Sequence, residues 1–350
     1  MVRRESRAVK MGSIQIGGDA PISVQSMTNT DTRDVNETVA QIKRLEEAGC
    51  ELIRVAIPDM EAASKVSQIK NQIKIPLIAD IHFDYRLALE VLEQGIDGLR
   101  INPGNIGNEE KIKLVAQKAL EKKVPIRVGV NAGSLEQELL KKYGHPTAEA
   151  MVESALKHVS LLERFGFYDI IISLKASNVM KTLEAYQLIA KEVDYPLHIG
   201  ITEAGTIKSG TIKSAVGIGA ILSQGLGDTI RVSLTGDPVE EIEVAYSILK
   251  SLDLRRGGVN IISCPTCGRT EINLVEIANQ VEDKIKGLDK DIEVAIMGCV
   301  VNGPGEAREA DLGIAGGKDV GLIFKKGEVI KRVPAAELVD ELMKEIENLD

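Results

Sequence analysis

Gly98-Leu99-Arg100-Ile101-Asn102 reads as a short strand that carries one cation and stops on a polar residue. Residues two apart on a strand share a face, so Leu99 and Ile101 point one way and Arg100 and Asn102 the other. The same pattern returns along the chain. Apolar segments at 21–26, 51–57, 75–80, 98–101, 126–130, 169–174, 196–200 and 229–233 are separated by amphipathic stretches, among them 35–48, 86–94, 111–122 and 238–252. That alternation predicts β/α units around a parallel sheet. Eight units are the number that closes a TIM (β/α)8 barrel. The rival is a doubly wound open sheet, and the lack of a G-x-G-x-x-G after the first strand counts against it.

A barrel would gather the carboxyl ends of these strands at one mouth. Arg54 lies in Ile53-Arg54-Val55, Asp80 and His82 follow Leu77-Ile78-Ala79, and Arg127 and Asn131 lie in Arg127-Val128-Gly129-Val130-Asn131. Lys175 ends Ser173-Leu174-Lys175, His198 leads to Thr202 and Glu203, and Arg231 and Ser233 share a face. Arg54, Arg100, Arg127, Lys175 and Arg231 would then ring one pocket. A single Arg at a strand end is commonly half of an ordinary ion pair. Five cations at equivalent places repel one another unless an anion of several charges binds among them, and diphosphate matches the bidentate geometry of guanidinium. The chain has no Asp-Asp-x-x-Asp cluster, so such an anion would be held by side chains rather than through magnesium. His82 and His198 are either structural or ligand contacts. Glu203 is the acid placed among the cations.

After Leu252 the polar run Asp253-Leu254-Arg255-Arg256-Gly257-Gly258 marks a boundary between a barrel domain at 1–255 and a smaller α+β domain at 256–350. The second domain is expected to hold strands at 259–263, 292–297, 312–315, 320–324 and 328–333, with helices at about 270–286 and 335–347. Three of the four cysteines fall here, in Cys264-Pro265-Thr266-Cys267-Gly268 and Cys299-Val300-Val301-Asn302-Gly303-Pro304-Gly305-Glu306. Pro265 fixes φ and Gly268 admits a close backbone approach, so the C-x-x-C turn can aim two thiolates at one metal. If Cys267 opens the helix that follows, the free N–H groups there would stabilise its thiolate. The spacing leaves two metals open. Structural zinc favours four closed N/S ligands, and here one further Cys follows with no His beyond His198. An iron–sulfur cluster accepts three thiolates with an oxygen ligand. Cys50 reads as a buried small side chain.

Composition narrows the classes further. With 44% hydrophobic and 27% charged residues the chain is an ordinary globular one. A net charge of -9 and 3% aromatics without Trp argue against a nucleic-acid partner. No apolar run is long enough for a bilayer, and Met1-Val2-Arg3-Arg4-Glu5-Ser6-Arg7 lacks the core of a signal peptide, so a cytoplasmic protein is expected. In that reducing compartment cysteines serve as ligands more readily than as disulfides.

Arg54-Val55-Ala56-Ile57-Pro58, Ala79-Asp80-Ile81-His82, Arg100-Ile101-Asn102-Pro103-Gly104-Asn105 and Gly200-Ile201-Thr202-Glu203-Ala204-Gly205 stand together with Cys264-x-x-Cys267 and Asn302-Gly303-Pro304-Gly305-Glu306. This set resembles the 4-hydroxy-3-methylbut-2-enyl diphosphate synthase family, also called GcpE, over essentially the whole chain and in its two-domain bacterial form. The resemblance implies a TIM barrel followed by an iron–sulfur domain whose 4Fe-4S cluster is held by Cys264, Cys267, Cys299 and Glu306. It implies reductive ring opening and dehydration of 2-C-methyl-D-erythritol 2,4-cyclodiphosphate, in the non-mevalonate isoprenoid pathway. Electrons would come from reduced flavodoxin or ferredoxin, in a homodimer whose active site spans the subunits. Glu203 and Glu306 are then the candidate catalytic residues. Arg54, His82, Arg100, Arg127, Asn131, Lys175, His198, Thr202, Arg231 and Ser233 are the candidate substrate contacts. The alternative from another class is a phosphometabolite-binding barrel with a structural zinc domain.

Overall fold

A computed structural model describes residues 2–285, 288, 290–299, 305 and 307–349. The chain divides into two compact units, Met1–Arg255 and Arg256–Asp350. The first unit opens with an antiparallel hairpin, β1 (Val9–Met11) and β2 (Ile14–Ile16). Eight parallel strands follow: β3 (Ser23–Met27), β4 (Leu52–Ala56), β5 (Leu77–Ile81), β6 (Gly98–Ile101), β7 (Ile126–Asn131), β8 (Ile170–Lys175), β9 (His198–Ile199) and β10 (Thr229–Ile230). They pair in chain order, β10 pairs with both β9 and β3, and the ring closes where Ile172 bridges Leu197. This is the TIM-type barrel that the alternation predicts.

Local chemistry starts the outer helices where the sequence places them. Asp34 caps Val35–Glu47, Asn178 caps Val179–Glu192, and Asp237 caps Pro238–Lys250 with its proline in the first turn. Alternate strand residues, such as Ile53, Val55, Leu77, Ala79, Leu99, Ile101, Val128 and Ile172, join these helices in the main apolar core. The other set faces the barrel axis. At the amino-terminal end that set is apolar: Leu52, Ile78 and Ile171 pack with Val9, Met11 and Ile16 of the hairpin, which closes the floor. Gly98 makes room for it, since a Cβ there would meet Met11 Cε at 2.8 Å. Towards the carboxyl ends the axis-facing residues are polar and charged.

The second unit is a five-stranded sheet in the order β11 (Val259–Ser263), β12 (Ile292–Met297), β13 (Leu312–Ala315), β14 (Val320–Lys325), β15 (Glu328–Pro334). The first three strands are parallel and the last two antiparallel to their neighbours. Helices Leu274–Ile285 and Leu338–Glu347 cover one face through Leu274, Val281, Val294, Ile296, Leu338 and Leu342. The first of these helices begins later than the sequence pattern suggests. Asn273 marks its start, with Glu276 N donating to Asn273 Oδ1 at 3.5 Å, and Thr270 is spent on a turn with Cys267. Cys267 therefore stands well ahead of the helix and gains nothing from its amino-terminal N–H groups.

Candidate active site

The axis-facing positions of the upper barrel are filled by cations. Arg54, Arg100, Arg127 and Lys175 are each at most 9% exposed, and Arg231 is half-buried at the end of β10. TIM barrels usually fill this space with branched apolar side chains. Asp80, buried on β5, is the hub: Arg100 Nη1 donates to it at 3.1 Å, Arg54 Nε stands 3.6 Å away, and His82 Nε2 lies at 3.4 Å. The Arg54 contact is an ion pair too long for a hydrogen bond; the Arg54 donors Nε and Nη2 lie on Met27 Sδ instead, at 3.2 and 3.0 Å. Arg127 Nη1 donates to Gln25 Oε1 at 2.6 Å, while its Nε and Nη2 have no partner among the described residues. Lys175 Nζ meets His198 Nε2 at 3.2 Å. Glu241, reaching in from the helix Pro238–Lys250, accepts from Ser26 Oγ and Leu234 N, both at 3.0 Å, and lies 3.8 Å from Arg231 Nε.

The strands leave out side chains where the cations need volume. A Cβ at Gly129 would come within 2.6 Å of Arg100 Nε, and one at Gly200 within 2.9 Å of Lys175 Nζ. Burial and mutual repulsion then set the protonation states. Burial would raise the Asp80 carboxyl, but Arg54, the His82 contact and Arg100 together hold it far below the usual carboxylate range. Burial lowers Arg54 to about 10 against the pull of Asp80. Arg127 is pulled down by burial and by repulsion from Arg54 and Arg100, yet guanidinium starts so high that it stays charged. Lys175 and His198, both depressed by burial and by the surrounding cations, are the two groups whose proton is at stake.

The remaining predicted residues lie around the mouth. His82 is half-exposed past β5 with Nε2 3.0 Å from Arg100 Nη1, and Asn131, Thr202 and Ser233 are partly buried. Glu203 is exposed, makes no ion pair with a cation among the described residues, and has φ +53°. A left-handed backbone is costly for a residue with a Cβ and is retained where the surroundings impose it, often at functional sites. The loop after β7 is pinned by Glu136, which accepts from Ser154 Oγ at 2.8 Å and lies 2.8 Å from His158 Nε2 without hydrogen-bond alignment. Gln25 and Glu241 escape sequence reasoning. The available signal for Glu241 is an acid in step with Pro238, Ala245 and Ile248 on the buried face of a helix.

In the second unit, the pairing of Ser263 with Ile296 brings the ends of β11 and β12 level, which sets Cys264 and Cys299 at one edge of the sheet. Cys264 Sγ accepts from Gly298 N at 3.2 Å, the kind of backbone donor that stabilises a thiolate or a cluster sulfur. Cys267 is exposed, and Cys264, Cys267 and Cys299 are all free thiols. Glu306 lies outside the described residues, and among the described residues no three His, Cys, Asp or Glu side chains gather as a metal group. The donors present are soft thiols, and Cys264 Sγ lies close to a backbone N–H, which fits an iron–sulfur group in kind.

The GcpE TIM-barrel domain family matches residues 6–246 and the GcpE protein C-terminal domain family matches 260–348. The chain belongs to the GcpE family. Among its curated relatives, the 4-hydroxy-3-methylbut-2-en-1-yl diphosphate synthase (flavodoxin) of Clostridium acetobutylicum is 61% identical over 349 residues, covering 100% of both chains. The enzyme of the same name from Geobacter sulfurreducens is 61% identical over 348 residues and 99% of each chain. Of solved structures, dihydropteroate synthase from Stenotrophomonas maltophilia, with imidazole in its active site, covers 71% of this chain and 98% of its own at 14% identity and a TM-score of 0.52. The Xanthomonas albilineans enzyme, in complex with 7,8-dihydropteroate, covers 71% and 99% at 13% identity and 0.51. Those two likenesses show that this GcpE chain shares their barrel, and nothing more. No helix among the described residues is long and apolar enough to cross a membrane.

Proposed function

We propose that this GcpE-family chain is an oxidoreductase that opens the ring of 2-C-methyl-D-erythritol 2,4-cyclodiphosphate and dehydrates it to 4-hydroxy-3-methylbut-2-enyl diphosphate, with reduced flavodoxin as donor. The carrying observation is the unbalanced barrel interior, in which Arg54, Arg100, Arg127, Arg231 and Lys175 face two carboxylates, Asp80 and Glu241. The end-to-end identity to enzymes of that name supports the same reading, and the alternative of a binding barrel with structural zinc finds no support among them.

In the reaction, one ring C–O bond to phosphate breaks, the neighbouring hydroxyl leaves as water, and two electrons end in the new C=C bond. Arg127 Nε and Nη2, with Lys175, offer donors to diphosphate oxygens. Asp80 aligns Arg100 and Arg54, and Glu241 fixes the backbone beside Arg231. The apolar floor keeps water from entering beneath the anion. Asn131, Thr202 and Ser233 position the carbon skeleton, His198 holds Lys175, His82 steadies Arg100, and Glu203 at the mouth gives the departing hydroxyl its proton. Cys264, Cys267, Cys299 and Glu306 would hold a 4Fe-4S cluster, which when bound supplies the electrons singly. Glu306, a hard ligand among soft ones, would be the most readily exchanged of the four. The resemblance supports a homodimer whose active site draws on both subunits. Free thiols and a flavodoxin donor suit the cytoplasm.

Anaerobic purification tests this directly. Brown protein with iron and acid-labile sulfide, turning over the cyclic diphosphate with reduced flavodoxin, is expected; colourless protein holding zinc would sink the reading. Glu203→Gln is expected to bind substrate and lose most turnover.

A further inference from the structure

Lys175 differs from the four arginines of the barrel interior. Each arginine has an oxygen or sulfur acceptor or stands within 4 Å of a carboxylate: Arg54 with Met27 and Asp80, Arg100 with Asp80, Arg127 with Gln25, Arg231 with Glu241. Lys175 Nζ meets the imidazole Nε2 of His198 and, among the described residues, no acid. The side chains of both are buried. Arg127 on β7, Arg231 beyond β10, and Arg54 and Arg100 on β4 and β6 surround the ammonium position, and Asp80 and Glu241 are already engaged with guanidiniums. From the outer helix, the Tyr186 hydroxyl serves backbone, donating to His198 O and accepting from Leu174 N. His82 is a further titratable group close to this cage, with Nε2 3.4 Å from Asp80 and 3.0 Å from Arg100 Nη1.

An ammonium here would be desolvated, unpaired with any anion and repelled from several sides. An uncharged amine satisfies this contact with either imidazole tautomer, donating to a bare Nε2 or accepting from Nε2–H, and Nδ1 has no partner among the described residues. Burial and the neighbouring guanidiniums favour that uncharged form of both groups.

We propose that Lys175 is a neutral amine in the free protein and takes up one proton when the cyclic diphosphate binds. This rests on the diphosphate reading above and adds to it a charge argument. The cyclic ligand carries two negative charges, and opening the ring frees a terminal phosphate that adds a third. Four guanidiniums less the two carboxylates leave two positive charges, and protonated Lys175 makes three. The charge that the opened product needs is thus in place before the ring opens, and Lys175 N–H groups reach phosphate oxygens while His198 Nε2 still accepts one.

The test is calorimetric titration of the holoprotein, kept oxidised so that no turnover occurs, with the cyclic diphosphate in Hepes and in Tris near neutral pH. The ligand's diester phosphates have no second ionisation, so a proton taken up goes to the protein. Binding heats that separate by buffer, equivalent to about one proton per site, are expected, with affinity weakening up to about tenfold per pH unit as the solution becomes alkaline. Lys175→Arg, permanently charged, should give heats that coincide, and His82→Gln should keep the wild-type separation. Buffer-independent heats in the wild type overturn the proposal without recourse to any variant, as does a separation that survives in Lys175→Arg. Absence of binding in the wild type overturns the diphosphate reading itself, and this inference with it.

Discussion

The two ends of the barrel interior are built by the same eight strands and filled in opposite ways. Below, Leu52, Ile78 and Ile171 lock into Val9, Met11 and Ile16 of the hairpin, an apolar plug that needs no partner. Above, the next axis-facing residues on β4, β5 and β8 are Arg54, Asp80 and Ser173, with Lys175 following, all polar and poorly solvated. The lower layer stabilises the fold. The upper one costs stability in the free protein, which on the proposed function a multiply charged ligand recovers.

The contrast can be broken most forcefully at its most paired charge. Asp80→Asn leaves Arg54 and Arg100 without their shared counterion, and a loss of about 4 kcal/mol in the urea unfolding of the first unit is expected. Arg127→Met should do the reverse, weakening cyclic diphosphate binding by about a hundredfold or more, roughly 3 kcal/mol, while the melting temperature holds or rises. A clear fall in melting temperature with binding intact would erase the distinction between the layers. Ile171→Val, in the plug, should cost about 1 kcal/mol in urea and leave calorimetric affinity unchanged.

The smallest effect concerns the rim. Burial would raise the Glu136 carboxyl, but His158 and Ser154 hold it down to about 2. Because it is more acidic folded than unfolded, its stabilisation is complete above the ordinary Glu value and fades as pH drops towards 2. Thermal melts across that acid window should show Glu136→Gln losing less stability than the wild type, by about 1 kcal/mol. Identical acid profiles would remove Glu136 as the pin of the loop.

The barrel was legible because each strand repeats one alternation, and Arg100 between Leu99 and Ile101 already shows which face carries charge. The hairpin was not, since its strands of three residues are too short for a periodicity to emerge. Candidate cations could be named from strand ends, but their pairing could not. That Asp80 serves two arginines while Lys175, among the described residues, pairs with a histidine and no acid depends on strand stagger and on the bulk left out at Gly129 and Gly200. The late start of helix Leu274–Ile285 turns on a local competition, Asn273 as cap against Thr270 as turn residue.

The four arginines and Lys175 sit on or just beyond the staves of the barrel rather than on its loops. Barrel enzymes ordinarily change chemistry by exchanging loops over a fixed core, which makes them easy for evolution to retask. On the function proposed above, recognition is written into the core, so a graft of all eight mouth loops onto another barrel would leave the anion site behind. The route to a new substrate runs through the strands, where each change must also be survivable as a change of packing.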